Sequence, residues 1–133
     1  MTRRKAVAIL KPAVTWILLA DDHQAEIYAR QAHPPRLFVR HRSEESEPVI
    51  VPHMRWMADT KDDSEFPTLI GDALNKAFRE RAFQRLVMIA PQEMLVELRK
   101  ELNPKLLRAV LAELPHDAAL DAAMRDGYLN QLA

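Results

Sequence analysis

The side chains best suited to chemistry in this chain are carboxylates and imidazoles, and they recur in three short groups. Asp21, Asp22 and His23 follow one apolar run, Gln92 follows the Pro91 that ends a second, and Glu113, His116 and Asp117 close a third. Gathered in one place, such groups could hold a divalent ion or serve as acid and base. The structural roles of the same residues are the stronger reading. Asp21 and Asp22 are good turn residues, because Asp tolerates turn dihedrals and bonds its own backbone, and Asp117 suits the cap of a final helix. His33, His41 and His53 show no ligand spacing. No Walker loop, Gly-rich dinucleotide turn or nucleophile elbow is present. No catalytic residue, metal or cofactor is therefore assigned.

Only the elements around these groups could bring them together. Val14 to Ala20 is apolar and β-branched enough for a strand buried on both faces. The acidic turn follows, and then 24–31 alternates, with Ala25, Ile27 and Ala29 opposite Glu26, Tyr28 and Arg30, as a half-buried antiparallel strand would. His33-Pro34-Pro35 breaks the chain, and alternation resumes over 36–42. A long loop is expected over 43–66, with an apolar centre that includes Met54, Arg55, Trp56 and Met57. Those four residues form either a partner surface or a lid over the sheet.

From Pro67 the period becomes helical. Leu69, Ile70, Ala73, Leu74, Ala77 and Phe78 share one face of a helix expected over 67–82. Residues 85–90 read as another buried strand. A helix over 91–102 starts at Pro91 and carries Arg99 and Lys100 near its end, which matches the helix dipole. Residues 104–114 fit helix or buried strand equally well by spacing. A last helix is expected over 117–130. Residues 1–12 read as a tail, and 13–133 as a single α/β domain.

Composition narrows the function. The 133 residues carry 19 basic and 19 acidic side chains, which argues against a dedicated nucleic-acid binder. Arg36, Arg40, Arg42, Arg79, Arg81 and Arg85 could still make a local patch for RNA phosphates. Neighbouring Glu44, Glu45, Glu47 and Glu80 favour an ordinary solvated face instead. With no cysteine, disulfides, thiolate nucleophiles and Cys-ligated zinc are impossible. No apolar stretch suits a membrane helix or a secretory signal, and the expectation is a cytoplasmic protein.

The ordered set Thr15, Trp16, Ala20, Asp21, Ala25, Phe66, Leu86, Val87, Ala90, Pro91, Leu95, Leu98, Val110, Glu113 and Asp117 resembles the bacterial host attachment protein family. That family is similar to the middle domain of archaeal and eukaryotic class-1 release factors. The resemblance implies an RNase H-like three-layer fold with a five-stranded mixed sheet: an antiparallel meander of 14–20, 24–31 and 36–42, plus parallel strands 85–90 and 107–114. It places Asp21, Asp22, His23, Gln92, Glu113, His116 and Asp117 on the carboxyl edge of the sheet, where open α/β sheets bind ligands. The Gly-Gly-Gln release loop is missing, because Gly71 and Gly127 are the only glycines. An RNase H-like nuclease would need an Asp in the body of 14–20, where no charge sits. The expectation is a non-enzymatic protein acting indirectly through a protein or RNA partner, with the ribosome one such partner. The alternative is a metal-dependent hydrolase or nuclease at the carboxyl edge.

Overall fold

Strand β1 (Val14–Ala20) is buried along nearly its whole length because it is the middle strand of five. The structure, a computed structural model, describes residues 13–31, 49–57 and 65–132. In chain order the elements are β1, β2 (Gln24–Gln31), β3 (Val49–Met57), α1 (Phe66–Arg79), β4 (Arg85–Ala90), α2 (Gln92–Glu101), α3 (Pro104–Arg108), β5 (Val110–Pro115) and α4 (Ala122–Leu132). The sheet order is β3-β2-β1-β4-β5. β1 runs antiparallel to β2 and parallel to β4, and β4 runs parallel to β5.

Alternation along the central strands divides the core in two. Trp16, Leu18 and Ala20 of β1, with Leu86, Met88 and Ala90 of β4, point to the layer of α1, α2 and α3. Ile17, Leu19, Val87 and Ile89 point the other way, where Leu120 and the Met124 side of α4 cover them. Helices on both faces make this a three-layer α/β fold, and burial on both faces explains why β1 and β4 read as continuous apolar runs.

Strands β1, β2 and β4 keep their expected bounds, and several other elements differ. The expected strand 36–42 and the tail 1–12 lie outside the described residues. Within the expected loop 43–66, Val49–Met57 is a strand paired with β2. Its alternation is hidden by a bulge: Ile27 faces Met54 while Tyr28 faces Pro52, so His53 is an extra residue. Val51 on one side of the bulge and Met54 and Trp56 on the other therefore share a face despite opposite parity in sequence. Among the described residues β3 is an edge strand, which tolerates Pro52.

The ambiguous stretch 104–114 is both things in turn. Pro104 opens a short helix and the strand begins only at Val110, so Leu107, expected in the strand, is helical. The last helix starts at Ala122 and not at 117, because Asp121 caps it, its Oδ1 accepting the Met124 N–H at 2.8 Å. Helix α1 stops at Arg79 and α2 spans 92–101, each shorter than its spacing suggests.

One close approach fixes α1 against α2. A β-carbon on Gly71 would lie 2.5 Å from Glu101 Cβ, a backbone-proximal atom that cannot swing aside. Gly71→Ala should therefore lower stability by about 1–3 kcal/mol in urea unfolding, overpacking outweighing the helical preference of Ala.

Candidate functional site

The carboxyl ends of β1, β4 and β5 lie side by side, so the turn at 21–23, the Pro91-Gln92 step and the loop after Pro115 share one edge. Asp21 is buried at its centre. Its Oδ1 accepts the N–H groups of His23 and Gln24 at 2.7 and 2.9 Å, which makes the hairpin turn. Its Oδ2 accepts the Leu120 N–H at 2.7 Å and so pins the loop that leads into α4. Burial pushes this carboxyl up, but the Leu120, His23 and Gln24 bonds with the nearby His23 charge outweigh it, and the pKa lies below the ordinary value.

The other expected residues divide. Asp117 does not cap the final helix; its Oδ1 accepts the Gln92 N–H at 3.2 Å and satisfies an orphan donor at the start of α2. His116 is held by its backbone N–H to Ala90 O at 2.8 Å and by Nδ1 against Tyr128 Oη at 3.2 Å. Glu113 stands back from the edge, opposite Met88 in the ladder, and is paired with Arg99 of α2. Asp22 and His23 are exposed. With Glu93, Glu97, Phe66 and Met94 they line an open cavity of about 330 Å³. Among the described residues, no three His, Asp or Glu side chains are grouped so as to hold a metal ion.

A polar seam that the alternation of β2 disguised lies beside this edge. Glu26, on the face read as solvated, is 5% exposed because α4 covers it. Arg125 of α4 grips it with two bonds, Nε to Oε1 at 2.7 Å and Nη2 to Oε2 at 2.9 Å. Tyr28 Oη donates to Oε1 at 3.0 Å, and Arg55 Nε stands 3.4 Å from Oε2. Burial raises the Glu26 pKa, and the Arg125 and Tyr28 bonds with the charges of Arg125 and Arg55 bring it below the ordinary value. Tyr28 is pushed up by burial and by Glu26. Gln24 Nε2 donates to Leu120 O at 3.1 Å, which closes the seam onto Asp21.

The expected partner surface lies on β3. Met54 and Trp56 face the three-helix layer; Arg55 and Met57 face the α4 layer. Trp56 packs against the core and so covers the sheet as a lid would, while Met54 is 40% and Met57 65% exposed.

The open mixed sheet between helical layers is similar to the crystal structure of archaeal translation termination factor aRF1. The TM-score is 0.52 at 9% identity, covering 90% of this chain and 39% of that one. Identity that low makes the shared feature the fold alone, and this chain corresponds to well under half of the termination factor. The family described as protein required for attachment to host cells matches residues 49–120, more than half of the sequence, and the chain belongs to that family. Comparison with curated proteins gives no match.

Both buried carboxylates have folded pKa values below their unfolded ones. Their stabilisation is therefore complete above the unfolded values and is lost as the pH falls. Stability should decline below about pH 4, while Asp21→Ala and Glu26→Gln should flatten that decline. Asp21→Ala leaves the buried Leu120 N–H without its acceptor and should cost about 2–3 kcal/mol by urea unfolding at pH 7. Glu26→Gln should cost about 2 kcal/mol in the same assay, because the Arg125 charge loses its partner.

Proposed function

We propose that this host-attachment-family protein acts by binding and not by catalysis. Its effect on attachment is indirect, exerted in the cytoplasm through a protein or RNA partner, with the ribosome as the first assembly to test. The observation that carries this reading is the β3 surface. Val51, Met54 and Met57 stand 39%, 40% and 65% exposed on an edge strand, beside Arg55. Met and Arg are favoured at interfaces, and an edge strand also offers backbone donors and acceptors. No helix among the described residues is long and apolar enough to cross a membrane, and the cysteine-free composition suits a reducing compartment.

The competing reading is a metal-dependent hydrolase or nuclease at the carboxyl edge. The acidic rim of Asp22, Glu93 and Glu97 favours it. Against it, Asp21 already spends both oxygens on backbone donors, Asp117 caps α2 and Glu113 is paired with Arg99. A metal there would have to displace those bonds.

Tagged protein should co-sediment with ribosomes or retain a partner from lysate at low salt. Met54→Glu with Met57→Glu should abolish this without changing the thermal midpoint. Free migration of the unaltered protein would overturn the binding reading. Titration with Mg²⁺ or Mn²⁺ should release no heat, and RNA should stay intact; cleavage sensitive to Asp22→Asn would establish the hydrolase instead.

A further inference from the structure

The amino edge of the sheet, opposite the carboxylates, holds a cavity of about 830 Å³ with a distinct chemistry. Arg79 and Arg81 reach it from the end of α1, Lys105 and Arg108 from α3, and no carboxylate is among the described residues that line it. Phe78 and Phe83 form its apolar wall, their ring centroids 5.4 Å apart. The ion pairs of the described residues lie elsewhere: Glu26 with Arg55 and Arg125, Glu113 with Arg99, Glu97 with Lys100. Four cations around one concavity repel one another unless an anion joins them.

The wall is held in place. Asn75 donates to Glu101 O at 2.8 Å and accepts the Asn103 N–H at 2.9 Å, which ties α1 to the turn between α2 and α3. Gln84 Oε1 accepts the Val14 N–H at 2.8 Å. Phe83 stacks on buried Trp16, centroids 4.5 Å apart and planes 20° from parallel.

Arg81 supplies an independent observation. Its φ is 64°, the single positive φ outside glycine among the described residues. It occupies the left-handed position of a helix stop in which Arg81 N–H bonds Phe78 O and Ala82 N–H bonds Ala77 O, the position glycine usually takes. An arginine there costs about 1 kcal/mol relative to glycine. Strain of this kind persists at functional sites. Here it falls on a residue that lines the cavity.

We propose that this cavity binds a nucleotide, free or as one unit of single-stranded RNA. Arg79, Arg81, Lys105 and Arg108 hold the phosphate, and the base lies against half-buried Phe78. The guanidinium fork fits phosphate oxygens in pairs, and an aromatic side chain accepts any base face. The volume is in the range of small-ligand sites and far exceeds what inorganic phosphate fills. The site is separate from the β3 surface, so each can fail without the other.

Fluorescence anisotropy with a short fluorescein-labelled single-stranded RNA, together with calorimetry using ATP, tests this. At least one probe should bind, and binding should weaken with added salt. Inorganic phosphate should compete far more weakly than the unlabelled form of whichever probe binds. Arg81→Gly should weaken binding about fivefold or more, the loss of one charge-assisted contact, while its thermal midpoint stays level or rises. Arg108→Ala should weaken binding similarly. ATP that binds and fully displaces RNA identifies a free-nucleotide site; RNA binding that ATP does not displace identifies a strand site. Neither probe binding, binding unchanged in Arg81→Gly and Arg108→Ala, or inorganic phosphate displacing the bound probe as well as the same probe unlabelled would each overturn the proposal.

Discussion

The fold depends on one carboxylate that joins its two ends. Asp21 and Leu120 are 99 positions apart, yet the Asp21 side chain satisfies both the first hairpin turn and the loop that delivers α4. Without α4, Ile17, Leu19, Val87 and Ile89 would face water and the central strands would have one open side. Met124, Tyr128, Leu129 and Leu132 give α4 an apolar contact with the sheet, and the outer strand β2 adds Glu26 and Tyr28 as polar partners. The helix is therefore held by apolar burial and oriented by directional polar bonds. A buried ion pair of this kind adds little net stability but penalises other placements, since any shift leaves Glu26 or Arg125 uncompensated.

The two edges of the sheet consequently differ in character. At the carboxyl edge three carboxylates are consumed in holding loops and helices: Asp21 in the turn, Asp117 on α2, Asp121 on α4. At the amino edge the cations at the end of α1 and on α3 surround a cavity whose shape is set by amide and aromatic contacts. Acidic residues do structural work on one side, and basic residues are left exposed on the other, in a chain whose charges sum to zero.

What was legible in the sequence follows the same division. β1 and β4 were readable because burial on both faces demands unbroken apolar runs, and β2 because its inner face is a clean alternation. β3 was hidden because one inserted residue, His53, reverses the parity of Met54 and Trp56 relative to Val51. The carboxyl edge was legible from the parallel order of the strands; the roles of its residues were not. Asp117 and Asp121 are equally good caps in isolation, and only the position of Gln92 decides between them. Glu26 looked solvated because its partner, Arg125, lies 99 residues away, beyond any local period. Lys105 and Arg108 drew no notice for the same reason, since α3 brings them to Arg79 and Arg81 only in three dimensions.

The stacked rings of the core have an optical consequence. Trp16 lies between the His53 ring at 4.7 Å and Phe83 at 4.5 Å, 1% exposed, one ring removed from the wall of the amino-edge cavity. Trp56, the other indole, is half-buried on β3. Both indoles face the three-helix layer, Trp16 from the central strand and Trp56 from β3. Emission from Trp16 therefore senses the cavity wall through Phe83 and the β3 bulge through His53, while emission from Trp56 senses β3.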